Sequence, residues 1–337
     1  MSVLRQTQVF NNSNQIALGW YWALRSSDVK RGKARSLNFL GRELVVYRGK
    51  TGKAFAMDAY CPHMGAHLAE GKVEGDELRC LFHYWKFNSE GICTEIPCQS
   101  TVAGVPKIRT WPVEERHGLI WIWPGQKSEF DIPVPPELKN VSTDSMLGKP
   151  FVKECHPNVM MINAIDAQHF NSVHQIAVPL HLEPETVSNH QIVFSNTTRF
   201  PDLWWSKPLQ SFYEKAITYS LSYWNGSTGS VTLGPDFLHF YIIFALRPTR
   251  EGKSEGQTIL ITKKRNGFSG KILNYLLLKL TYVVGNYFAN GDTLIFKSIK
   301  FNLQMPVKAD SAIIGFIQHL ESQPAVNWQH WSITESA

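Results

Sequence analysis

The chain has 337 residues, of which 43% are hydrophobic and 12% aromatic, with 11 Trp and a formal net charge of +6. That length exceeds one simple core and predicts two domains. The charge is modest and its one short cationic run, Lys263-Lys264-Arg265, is no nucleic-acid-binding tract, so nucleic acid is excluded as a partner. Five Cys make no disulfide framework and suit a reducing, cytoplasmic compartment, although Cys93 and Cys98 lie close enough for a local bridge. Met1 to Asn14 is polar and lacks an apolar signal core. With no G-x-G-x-x-G or Walker loop, no bound nucleotide is expected.

From Ile16 to Pro124 the chain reads as β. The runs Leu44–Tyr47, Ala54–Met57 and Leu119–Trp123 are short, β-rich and bounded by Gly, Pro or charge. Between such runs lie two ligand-bearing loops, Cys61-Pro62-His63 and Cys80-Leu81-Phe82-His83, each offering one thiolate and one imidazole. Both Cys can hold one metal and both His another. This is the donor set of a Rieske [2Fe-2S] centre, where two imidazoles replace two thiolates on one iron. A structural zinc site also takes Cys2His2, but its usual order keeps the two Cys together and the two His together. Here each loop carries both types, which favours the cluster.

The Pro-rich stretch Ile132-Pro133-Val134-Pro135-Pro136 reads as a linker or domain edge. The domains are expected at 15–125 and 146–335, with 126–145 between them. The second domain begins with a predicted helix from Asn163 to His174. Strands follow at Gln191–Phe194, Ala216–Tyr223, Ser230–Leu233, Leu238–Leu246 and Thr258–Thr262. Strands grouped with a few helices predict an α+β domain. The 17-residue run Ile272–Phe288 is strongly apolar but carries Lys279 and two Asn and is short for a span. It reads as a buried or interface helix, with peripheral membrane contact as the alternative. The aromatics Trp204, Trp205, Phe212, Trp224, Phe237, Phe240 and Tyr241 are candidate walls of a substrate cavity, or ordinary core.

A second metal-binding pattern is Asn163-x2-Asp166-x2-His169-x4-His174. Two His and one carboxylate suggest the facial triad of non-haem iron(II) enzymes. Asp166 and His169 share a helical face, but His169 and His174 lie about 140° apart on a regular helix. Both reach one ion only if the helix breaks or bulges between them, for which Asn171 and Ser172 are suitable. The carboxylate is left open between Asp166, which could instead orient an imidazole, and Asp292, beyond the apolar run.

The two motifs together resemble the oxygenase components of Rieske non-haem iron oxygenases, over nearly the whole chain. The resemblance implies an all-β Rieske domain followed by an α+β helix-grip catalytic domain with an antiparallel sheet. It implies a cluster on Cys61, His63, Cys80 and His83, and a mononuclear Fe(II) on His169, His174 and Asp292. Asp166 becomes a carboxylate bridging a cluster histidine and an iron histidine, and Asn163 a polar residue near the iron. O2 is the implied co-substrate, an external reductase or ferredoxin the electron donor, and a homotrimer the assembly, with Asp166 bridging His83 of one chain and His169 of its neighbour. Phe39-Leu40-Gly41-Arg42, Asp166-Ala167-Gln168-His169 and Gly91-x-Cys93-x2-Ile96-Pro97 are most similar to aminopyrrolnitrin oxygenase, and the last also to 3-ketosteroid 9α-hydroxylases and cholesterol 7-desaturases. The implied reaction is hydroxylation or arylamine N-oxygenation of an apolar or aromatic small molecule. Sterol hydroxylation or desaturation and O- or N-dealkylation are alternatives, and pure electron transfer a remote one. Leu81 stands where the family commonly has Pro. Ala66 and Leu81 stand where high-potential Rieske proteins carry extra Cys, so the loops resemble the lower-potential type.

Overall fold

The structure is a computed structural model and describes residues 7–174, 181–198, 217–235 and 238–327. The chain divides into two compact units. One comprises Leu18–Ile132, and the other comprises the described residues up to Ala17 with those of Pro133–Val326. A short strand, β1 (Gln15–Ala17), precedes the first.

The first unit is β-rich, as expected. β10 (Thr110–Trp111), β5 (Ala54–Asp58), β4 (Arg42–Arg48) and β3 (Ala34–Phe39) form one sheet. β11 (Val113–Arg116), β12 (Leu119–Ile122) and β2 (Tyr21–Arg25) form a second. β6 (Lys72–Glu74), β7 (Glu77–Arg79), β8 (Lys86–Phe87) and β9 (Cys93–Glu95) form a third. Val45, Tyr47, Met57, Leu68, Leu78 and Phe87 are buried together and fix the platform from which the ligand loops project. The loops leave from β5 and from β7, so each is anchored at its base by a strand. Asp58, at the end of β5, is held by Arg42 at 2.5 Å and accepts from Trp111 Nε1 at 3.0 Å. This ties three strands of one sheet just before the first loop.

The second unit is built on one antiparallel sheet, in the order β13 (Thr143–Leu147), β20 (Ser254–Lys263), β19 (Phe240–Pro248), β18 (Thr228–Pro235), β17 (Ile217–Trp224), β16 (Gln191–Thr198) and β15 (Glu183–Ser188), with β14 (Phe151–Lys153) also on β20. The predicted strands are present; those at Gln191–Phe194, Ser230–Leu233 and Thr258–Thr262 extend further than expected, and polar residues such as Ser222, Ser230, Thr232 and Gln257 are buried within the sheet. The β17–β18 turn uses Asn225 (φ 47°) and Gly226 (φ 63°), and Asn225 Oδ1 accepts from the Ser227 and Thr228 amides. Among the described residues five helices accompany the sheet: α1 (Pro157–Asn163), α2 (Ala167–Ser172), α3 (Gly267–Gly291), α4 (Thr293–Ser298) and α5 (Ser311–Glu321). α1 and α5 close the core, where Met161, Ile162, Phe316, Ile317 and Leu320 meet Phe194, Leu221, Tyr223 and Leu246. The unit thus has the α+β composition and antiparallel sheet expected of it. A final short strand, β21, spans Ala325–Asn327.

One expectation is corrected. The single helix over Asn163 to His174 is two short helices. Asp166 caps the second by accepting from the Gln168 and His169 amides at 2.9 and 3.1 Å, which starts a new helix instead of continuing the old one. α2 then ends at Ser172, whose hydroxyl donates back to Gln168 O at 2.9 Å. The break between the histidines is therefore a helix terminus. Among the described residues no helix is long and apolar enough to cross a membrane.

Candidate metal centres

The cluster loops place sulfur inside and nitrogen outside. Cys61 and Cys80 are 4% and 2% exposed, whereas His63 and His83 are exposed. The first loop is closed by Cys61 N to Ala66 O and Gly65 N to Cys61 O, both 2.9 Å, with Gly65 at φ +73° where L side chains are strained. The second is closed by Cys80 N to Trp85 O at 2.8 Å, with Tyr84 at φ 61°. The His63 ring stacks on Trp85 at 4.4 Å and 8°, and its edge meets His83 at 4.6 Å. Both imidazoles are thereby aimed to the same side.

Burial pushes the Cys61 thiol up to about 11, and the neighbouring Cys80, whose sulfur is within hydrogen-bonding reach, adds to the rise. A thiolate there needs a cation, which iron supplies. No three of these four ligands close to within 4.8 Å of one another, since among the described residues only one trio elsewhere does so. A single tetrahedral zinc would draw all four donors to about 3.5 Å of each other. The spread suits two metals. His67, in the same loop, is committed otherwise: its Nδ1 accepts from the Ala69 amide and its Nε2 meets Ser36 Oγ. All five cysteines are free, so the Cys93–Cys98 bridge is not formed.

The trio is His169, His174 and Asp292. His169 Nε2 lies 3.1 Å from His174 Nε2 and 2.9 Å from Asp292 Oδ1, and His174 Nε2 lies 3.2 Å from that same oxygen. With metal–donor bonds of about 2.1 Å, a right angle at the metal separates two donors by about 3.0 Å and a tetrahedral angle by about 3.4 Å. The three edges match one face of an octahedron. Burial of the His174 ring lowers its pKa despite the nearby Asp292 charge, which keeps it neutral and ready to ligate. Asn163 Nδ2 stands 2.9 Å from Asp292 Oδ2 and 3.0 Å from His169 Nε2, bridging two candidate ligands that are 123 residues apart.

Asp292 stands between the end of α3 and the start of α4 without its side chain capping either, so the long helix delivers the carboxylate. Asp166 is not in the trio. Its Oδ1 caps α2, accepting from the Gln168 and His169 amides. Three neighbours carried no sequence signal. Phe170 packs between Tyr219 and the His174 ring. Tyr219 donates to Ala164 O at 2.8 Å, with burial and the Asp292 charge raising its pKa. A Cβ on Gly291 would stand 3.1 Å from His174 Cε1, so the glycine leaves room for the ring.

Of the candidate cavity walls, Trp224 and Tyr241 are buried and Phe240 partly so, while Trp204, Trp205, Phe212 and Phe237 lie outside the described residues. A surface cavity of about 480 Å³ in the first unit is lined by Phe55, Trp111 and Glu114 among others and contains no candidate metal ligand.

Residues 19–112 match the family described as the Rieske [2Fe-2S] domain. The chain carries that domain over this stretch. It is 36% identical over 179 residues to a cholesterol 7-desaturase of Bombyx mori, covering 52% of this chain and 39% of the relative. It is 32% identical over 185 residues to the aminopyrrolnitrin oxygenase PrnD of Pseudomonas fluorescens, covering 52% and 50%. A longer match, 27% identical over 318 residues, joins 91% of the chain to 82% of a 3-ketosteroid-9-alpha-monooxygenase oxygenase component of Rhodococcus rhodochrous. In the stronger of these matches the chain spans half or less of the relatives' own length. Its fold is shared with dicamba monooxygenase (TM-score 0.60, 18% identity, 90% of this chain and 96% of that one). It is shared also with the oxygenase of carbazole 1,9a-dioxygenase in its reduced complex with ferredoxin (TM-score 0.67, 17% identity, 94% and 90%).

Proposed function

We propose that the chain is the oxygenase component of a Rieske non-haem iron oxygenase and oxidises an apolar or aromatic small molecule with O2. The octahedral-face spacing of His169, His174 and Asp292 carries this reading, because a pure electron carrier needs no second metal centre. Bound at these residues, ferrous iron supplies O2 activation, and the cluster supplies single electrons. The protein's share is positional. Buried Cys61 and Cys80 would hold a cluster with their thiolates, and the exposed His63 and His83 would hold it with their imidazoles at the solvent side. Asn163 holds Asp292 Oδ2 and thereby directs Oδ1 at the two imidazoles. Phe170 and Tyr219 shield the His174 side from water.

An external reductase or ferredoxin delivers electrons, for which the carbazole oxygenase–ferredoxin complex is a precedent in a protein of this fold. The assembly is a homotrimer in which Asp166 bridges His83 of one chain and His169 of the next. Its support is that the Asp166 carboxylate caps the helix bearing His169. The five free thiols suit a cytoplasmic setting. Sterol-like substrates are favoured alongside arylamines, since the relatives include a cholesterol desaturase and ketosteroid monooxygenases. The test is iron and sulfide analysis with O2 uptake. Three iron atoms and two sulfides per chain, and O2 consumption by the reduced protein that rises with an arylamine or a sterol, are expected. Two iron atoms and a substrate-indifferent protein would reduce it to a carrier.

A further inference from the structure

Helix α3 lies with its sides reversed. Against the sheet it buries Asn274 and Thr281 beside Leu278, and Leu278 packs on Ile242 and Leu260. Asn274 fixes that orientation, donating to Asp144 Oδ2 at 2.6 Å and accepting from Arg265 Nη1 at 3.0 Å. The opposite side is exposed and apolar: Phe268 (82%), Ile272, Leu273, Tyr275 (57%), Leu276, Leu280 and Val283 (63%). At 100° per residue these seven fall within an arc of about 160°, facing away from the arc of Asn274, Leu278 and Thr281. A folded protein seldom leaves such a face to water without a use for it.

Charge says what covers it. From Lys263 to Lys300 the chain carries Lys263, Lys264, Arg265, Lys271, Lys279, Lys297 and Lys300 against a single acid, the buried Asp292. Lys279 sits over the Tyr275 ring at 5.4 Å, so its cation lies within the apolar face. We propose that the outer face of α3 is a docking surface for an anionic lipid bilayer, on which the helix lies flat with its apolar side chains at the headgroup–acyl boundary and its lysines on lipid phosphates and carboxylates. Apolar area and basic residues on one helix are the two terms that govern such binding. A two-fold contact between copies through this face would set cations against cations. The inference is independent of the metal centres and of turnover.

The test is flotation of the full-length protein with vesicles of phosphatidylcholine alone or of equimolar phosphatidylcholine and phosphatidylserine, at low and high salt. The protein is expected to float with the anionic vesicles and to be released by salt. Lys271→Gln/Lys279→Gln is expected to lower the partition coefficient roughly 30-fold, at about 1 kcal/mol per lysine. Phe268→Ser/Leu276→Ser, which alters exposed side chains only, is expected to abolish flotation with an unchanged circular dichroism spectrum. Wild-type protein that sediments away from both vesicles overturns the proposal, as does equal flotation on both. So does an oligomer that Phe268→Ser/Leu276→Ser dissociates while the wild type ignores vesicles, since the face would then join copies of the chain.

Discussion

Gly291→Ala separates metal positioning from fold stability by opposite signs. The added Cβ would stand 3.1 Å from His174 Cε1 and 3.3 Å from Nδ1, tighter than an ordinary contact, so the ring must give by a few tenths of an ångström. The donor triangle has edges of 2.9 to 3.2 Å, and a metal site tolerates errors of about 0.5 Å in its donors. Displacing one donor by much of that margin is expected to weaken ferrous iron binding about tenfold, the lower end of what residues supporting metal ligands contribute. The backbone pulls the other way. Gly291 ends α3 without a positive φ, so alanine fits the helix and reduces the freedom of the unfolded chain, worth up to about 1 kcal/mol. Iron titration of the apo-protein and its thermal midpoint should therefore move apart, with weaker binding in a chain that melts no lower. Iron affinity unchanged within twofold would refute the claim that this glycine makes room for His174.

Asp292→Asn should weaken iron binding by at least about 100-fold with the cluster's visible spectrum intact. Asp166→Asn, which can still cap α2, should keep both metals yet abolish turnover, and normal turnover would remove its bridging role. Cys80→Ser should leave one iron per chain by analysis, with the site on His169 still loaded. Acid should destabilise the second unit through His156, whose burial lowers its pKa to about 4. The unfolded chain takes up that proton first, near the ordinary 6.5, so stability is full above pH 6.5 and lost as pH falls toward 4. The gap amounts to about 3 kcal/mol. Denaturant titrations between pH 7 and 4.5 should show His156→Gln losing much less over this range than the wild type.

The cluster ligands were legible because each loop is local: Cys and His sit two or three residues apart, on turns that short strands fix. His169 and His174 were legible for the same reason, and their mismatch with helical geometry required the break that Ser172 provides. The carboxylate was not decidable from residues alone. Asp292 is 123 residues from His169, and only the sheet and α3 carry it there, whereas Asp166 is near in sequence and taken by backbone amides. The helix expected around Asn163 to His174 is interrupted also at that same aspartate, before the break expected between the histidines, because a side chain able to cap competes with a helix that periodicity alone would extend. Phe170, Tyr219 and Gly291 were illegible, since each acts through what folding sets beside it.

The carboxylate of Glu321, at the end of α5, receives the amides of Gln8, Val9 and Phe10 at 2.7, 3.0 and 2.7 Å. Phe10 is then locked edge-on against Phe301 and Phe316. Anyone trimming this chain for expression should therefore cut before Gln8: a start at Asn11 would strip the glutamate of three donors and open a ring-sized hole at the back of the second unit.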